Sequence, residues 1–143
     1  ANMGEAIQNM WKTNLNVDIT IKIDEYPLVI QYLLENNYDI GSIAWNADYN
    51  DPMTMLEIMF TGNSFNYGTF SNPKYDKLVL NARKTSDNVL RMNYMIDAEK
   101  ILMDEMPLIP ICHRAFTLML NPKLKGIVYN PLGKHKFNYC YIE

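Results

Sequence analysis

The chain is poor in the residues that most enzymes and redox proteins depend on. Only two cysteines and two histidines occur among 143 residues. Cys112 and Cys140 lie far apart with no C-x-x-C, so a zinc or redox centre has no support; they either pair or sit as small buried hydrophobes. His113 and His135 belong to no motif, and neither G-x-S-x-G nor H-E-x-x-H occurs, so nucleophilic and metal-dependent catalysis lack their parts. No catalytic residue, metal ligand or cofactor is therefore expected. A basic excess is missing too: the formal charge of −3 and pI near 5.4 leave no footprint for nucleic acid. No apolar run approaches the roughly 20 residues that span a bilayer. The chain starts Ala1-Asn2-Met3, as either removal of a signal or a shortened chain would leave it, so compartment is not legible there.

What remains is ordinary for a globular domain, 48% hydrophobic and 20% charged. A chain of this length buries about 68–70% of its unfolded surface. Ala6, Ile7, Met10 and Trp11 share one face of a helix predicted over 4–14. Val17, Ile19, Ile21 and Ile23 alternate with Asp18, Thr20 and Lys22, which predicts a half-buried strand. Asp24-Glu25-Tyr26-Pro27 opens a second helix through Glu35, stopped by Asn36-Asn37. Tyr38 to Trp45 reads as a buried strand. The helix between the two strands would make them parallel neighbours with a right-handed crossover, and ligands gather at the carboxyl ends of such strands.

Asp51 is expected to cap a helix over Met53 to Phe60, with Pro52 at its first position. Gly62 to Asn72 is a loop whose Phe65, Tyr67 and Phe70 either lid the core or line a site. Asn72-Pro73 and Ser86-Asp87 open two further helices. Tyr75, Leu78, Val79 and Ala82 face inward from the first. Leu90, Tyr94, Ala98, Ile101 and Leu102 do so from the second, which ends at Pro107. Leu108 to His113, Phe116 to Leu120 and Phe137 to Ile142 read as strands, the first irregular because of Pro110. Asn130-Pro131-Leu132-Gly133 reads as a turn.

One residue stands outside this structural accounting. With Asp51 committed to the helix start, Asp48 is surplus, and it follows Trp45 at a strand end. A carboxylate there can hold a cation such as a primary ammonium. The residues alone leave that reading level with a second cap or Asx turn.

Longer strings resolve the matter by likeness. Ala44-Trp45-Asn46-Ala47-Asp48-Tyr49-Asn50-Asp51-Pro52, Gly62-Asn63-Ser64 and Tyr67-Gly68 are followed by Ser71-Asn72-Pro73-Lys74-Tyr75-Asp76-Lys77-Leu78. Ala98-Glu99-Lys100-Ile101-Leu102, Met106-Pro107-Leu108-Ile109-Pro110-Ile111 and Asn130-Pro131-Leu132-Gly133 come after them in the same order. Together they resemble the extracytoplasmic oligopeptide- and dipeptide-binding proteins of peptide ABC importers, solute-binding protein family five, over essentially the whole chain.

The resemblance implies an α/β fold, a small mixed sheet flanked by helices. That sheet would belong to one lobe of a two-lobed, class II periplasmic-binding-protein-like receptor. Residues 1–143 would form the carboxyl-terminal lobe, with 126–143 returning toward a missing amino-terminal lobe. It implies that Asp48 holds a peptide's α-ammonium, that Trp45 and Tyr49 line the cleft, and that the backbone of Asn46 and Ala47 meets the ligand main chain. The implied partners are an oligopeptide and a membrane ABC permease, with no nucleic acid. The implied place is extracytoplasmic, in a periplasm or lipid-anchored at the outer face of the cytoplasmic membrane. A receptor for a non-peptide ligand, such as a nickel chelate or a sugar, is the alternative in the same superfamily. Cys112, Cys140 and His135-Lys136 depart from the family pattern in the terminal segment.

Overall fold

The computed structural model describes residues 2–113, 115, 117–130 and 132–143. The chain divides into two compact units, Ala1–Ser42 and Ile43–Glu143.

In the first unit, α1 runs Asn2–Leu15 and α2 runs Tyr26–Leu34. Both stop at an asparagine in the left-handed region, Asn16 (φ 53°) and Asn36 (φ 52°). Asparagine tolerates that conformation better than other side chains with a Cβ. After α2, the Asn37 N–H closes a Schellman-type bond of 2.9 Å on the Tyr32 carbonyl. The half-buried face of α1 is Gly4, Ile7, Gln8 and Trp11, so Ala6 and Met10, expected inward, are exposed instead. Gln8 Nε2 donates to the Ile19 carbonyl at 2.6 Å, which lays the 17–23 segment along α1.

That segment is not a strand. Ile19 and Ile21 are half-buried with Thr20 exposed between them, but Val17 and Ile23, expected on the same side, are exposed, so the alternation reports sidedness only in the middle of the segment. A strand, however, exists by exchanging main-chain hydrogen bonds with a neighbour, and no neighbour is present among the described residues. The same reason removes the predicted strands at Tyr38–Trp45 and Leu108–His113. Of Phe116–Leu120, Phe116 lies outside the described residues and 117–120 is unpaired. The expected parallel pair is thus corrected: the one sheet among the described residues is antiparallel, β1 (Leu124–Lys125) against β2 (Tyr141–Ile142). An isolated bridge, Val128 to Lys136, continues it. The fold is helix-dominated with a small two-stranded sheet.

The second unit is built on α3 (Met53–Leu56) with a 3-10 turn over Glu57–Met59, α4 (Pro73–Lys84) and α5 (Asn88–Glu105). Asn72 Oδ1 caps α4 through the N–H groups of Lys74 and Tyr75, and Asp87 Oδ1 caps α5 through Val89 and Leu90. Met106, left-handed at φ 49°, closes α5 ahead of Pro107. Met53, Leu56, Met59, Tyr75, Val79, Ala82, Met95, Ala98 and Leu102 form the core. Tyr75 is fully enclosed, and its hydroxyl donates to the Leu56 carbonyl at 2.6 Å. Burial pushes that phenol well above its ordinary range. Met95 takes the core place expected of Leu90, which is exposed. The cysteines are free, Cys112 exposed and Cys140 half-buried, so neither the pair nor a buried Cys112 is found. The asparagine–proline turn places Asn130, Leu132 and Gly133 as expected, while Pro131 lies outside the described residues.

Candidate functional site

The candidate site is the bend where the chain leaves Trp45 and enters α3. Asp51 closes the bend at its helix end. One carboxylate oxygen accepts the Met53 N–H at 2.9 Å, and the two together take Arg91 of α5 in a bidentate pair at 2.7 and 2.9 Å. Arg91 above all, then the Met53 N–H, holds this carboxyl below its usual range against the opposing effect of burial. Asp51 takes the Met53 N–H at the helix start, but Pro52 holds the cap position expected of Asp51, so both stand one position earlier than predicted, and α-helix gives way to 3-10 after Leu56.

Asp48 is placed differently. Its side chain is exposed, and among the described residues no hydrogen bond or ion pair engages its carboxylate. Only its main chain is tied. The N–H donates to Thr54 Oγ1 at 3.0 Å, and the carbonyl accepts Lys134 Nζ at 3.1 Å. Thr54 is buried in α3, so the bond fixes the bend to the core and leaves the acid free.

Trp45 is half-buried, and its indole meets Phe65 edge-on at 4.8 Å, with Tyr67 edge-on to Phe65 at 6.5 Å. The indole N–H is enclosed without a partner among the described residues, an uncommon state for a buried donor. Phe65 thus belongs with Trp45, whereas Phe70 packs on Tyr75 at 5.5 Å in the core. Of the aromatic loop, Phe70 thus takes the expected place over the core. Asn46 is exposed and Ala47 half-buried. Among the described residues neither makes a backbone hydrogen bond. Tyr49 lies beside Glu57; burial first, then the Glu57 carboxylate, raises its phenol. Glu57 in turn accepts Arg83 Nε at 3.2 Å.

The structure therefore gathers Trp45, Asn46, Ala47, Asp48 and Tyr49 on one bend and adds Thr54, Phe65, Arg91 and Lys134. Arg91 had a sequence signal, a cation placed on the buried stripe of α5 that calls for an acid. Lys134 had none, because its contact closes across 86 residues. Among the described residues, no group of three or more His, Cys, Asp or Glu could hold a metal, and no helix is long and apolar enough to cross a membrane.

No protein-family model matches the chain. Individual proteins do. The oligopeptide-binding protein OppA of Bacillus subtilis is 33% identical over the whole of this chain, which covers 26% of that relative. The structure of the Escherichia coli murein tripeptide binding protein MppA superposes with a TM-score of 0.91 at 33% identity, over 98% of this chain and 28% of that one. Haemophilus influenzae OppA in complex with the peptide RPPGFSPFR gives 0.84 at 26% identity, over 98% of this chain and 28% of that one. The chain thus spans about a quarter of the length of the relatives it matches. These relatives are binding proteins rather than enzymes. Likeness in sequence and in structure runs from end to end, and the chain belongs to the family of these peptide-binding proteins as a part of their length.

Proposed function

We propose that this chain is the carboxyl-terminal lobe of the substrate-binding component of an oligopeptide ABC transporter, residues 126–143 leading back toward an amino-terminal lobe. In this reading the complete receptor works outside the cytoplasmic membrane, in a periplasm or held by a lipid anchor at the outer face. It captures an extended peptide in the cleft between two lobes of class II type and hands it to the permease. No bond is made or broken.

The observation that carries the reading is the division of labour between two acids in one bend. Asp51 is saturated by Arg91 and Met53, while Asp48 presents an exposed carboxylate on a main chain held at both ends. An α-ammonium is the natural counter-charge, and the charge-assisted bond contributes about 1.5–3 kcal/mol. The unpaired main chain of Asn46 and Ala47 suits a ligand that adds as a strand, a mode that ignores side-chain identity. Trp45, backed by Phe65, and Tyr49 supply the apolar wall.

Asp48→Asn in the full-length receptor tests this. Neither main-chain bond of Asp48 uses its side chain, so the bend should keep its shape. Peptide affinity is expected to fall about ten- to hundredfold, and an N-acetylated peptide should bind the unsubstituted receptor as poorly. Equal affinity for free and acetylated peptides would remove the ammonium role and leave the non-peptide alternative standing.

A further inference from the structure

Lys134 brings a full positive charge to the main chain of the acid that the proposed function assigns to the ligand. It sits in the turn between Val128 and Lys136, whose main chains exchange two hydrogen bonds of 3.1 and 3.0 Å. From there Nζ reaches the Asp48 carbonyl at 3.1 Å. An ammonium has three N–H donors and that carbonyl takes one. Among the described residues no carboxylate forms an ion pair with Lys134. Among the described residues its charge and two of its donors are therefore uncommitted beside Asp48.

We propose that Lys134 is a specificity-determining residue of this site, selecting peptides by the charge of their first side chain. This rests on the peptide-binding reading, with Asp48 as the acceptor of the α-ammonium. A peptide anchored there carries its first side chain on the carbon next to the anchored nitrogen, so that side chain samples the space around Lys134. An acidic side chain finds an unspent cation and two donors. A lysine or arginine side chain meets a like charge at a separation where Coulomb energies are appreciable even in water and grow as the cleft excludes solvent. The α-ammonium is common to all peptides and does not discriminate among them. Lys134 does.

The test uses the full-length receptor and its Lys134→Met and Lys134→Arg variants. Each is equilibrated with a pool of synthetic peptides two to nine residues long, randomised at the first position, and the bound fraction is read by mass spectrometry. The unsubstituted receptor should enrich Glu and Asp over Lys and Arg at the first position by about fivefold or more. The ratio should contract on adding salt, as expected for a screened interaction. Lys134→Met should bring it near unity, and Lys134→Arg, which keeps the charge, should retain it. A ratio unchanged in Lys134→Met overturns the proposal, as does a uniform loss of all peptides with the ratio intact, which would make Lys134 a strut. Failure of the unsubstituted receptor to take up any peptide sinks the peptide-binding reading itself, a result distinct from a lost ratio.

Discussion

Asp51 and Arg91, 40 residues apart, form a two-pronged ion pair, Nη1 to Oδ2 at 2.7 Å and Nη2 to Oδ1 at 2.9 Å. Arg91 lies in the first turn of α5, where the helix dipole disfavours a cation, so the acid also relieves an unfavourable placement. Each side chain is a little over a quarter exposed, 28% and 27%, which makes the pair worth more than an open surface contact and less than a buried one.

Arg91→Ala should therefore destabilise the receptor by about 1–2 kcal/mol at neutral pH, read by thermal unfolding. Asp51 has its carboxyl pKa lowered by this pair. Its contribution is then complete above the ordinary carboxylate range and lost as the pH falls through the lower, folded-state value. The gap between the unsubstituted receptor and Arg91→Ala should close over that acid window. A gap that persists in acid would assign the cost to lost packing of the arginine stem.

The contrast between Asp51 and Asp48 was visible early, because a proline beside one acid marks a helix start and leaves the other unexplained. Helices were legible for the same kind of local reason: Asn72 and Asp87 cap where their sequence positions predict, and Tyr75, Val79, Ala82, Ala98 and Leu102 are inward at helical spacing. The strands were not. Alternation at Val17–Ile23 holds for Ile19 and Ile21 but fails at Val17 and Ile23, which are exposed, because hydrogen-bond partners for a strand are non-local and leave no trace in its own residues. Lys134 and Thr54 were missed for that reason too. Each meets Asp48 through a backbone group, and backbone groups are the same at every position.

Asn66 organises the loop that carries Phe65. It is 7% exposed, its Nδ2 donates to the Phe70 carbonyl at 2.7 Å, and its Oδ1 accepts the Phe70 N–H at 3.0 Å. The side chain thus imitates a strand neighbour for one residue. Asn66→Ala strands both Phe70 groups, a loss of about 1–3 kcal/mol. Faster hydrogen exchange of the Phe70 amide should report it. Because Phe65 stands on the indole, Trp45 fluorescence should shift in the same variant, and peptide affinity should fall with it. An unaltered Trp45 signal would show that the aromatic contact does not depend on the loop's anchor.

Two glycines in the terminal segment separate conformational strain from collision. Gly126 and Gly133 both have positive φ, 79° and 74°, a region that costs any other L-residue about 1–2 kcal/mol. A Cβ at Gly133 meets nothing within 4 Å, whereas at Gly126 it falls on the Tyr139 carbonyl, 2.9 Å from the carbon and closer still to the oxygen. That neighbour is backbone, so no rotamer change relieves the clash. The only escape is to part β1 from the chain leading into β2. Gly133→Ala should therefore show the strain alone. Gly126→Ala should add to it the loss of hydrogen-exchange protection at the Val128 and Lys136 amides, which bond to each other across the turn. Lys134 lies within that turn, so Gly126→Ala should also weaken its hold on the Asp48 carbonyl and blunt any first-residue preference that Lys134 confers. Equal protection at Val128 and Lys136 in the two variants would mean that the segment accommodates the extra carbon without parting, and that Gly126 is needed for its φ alone.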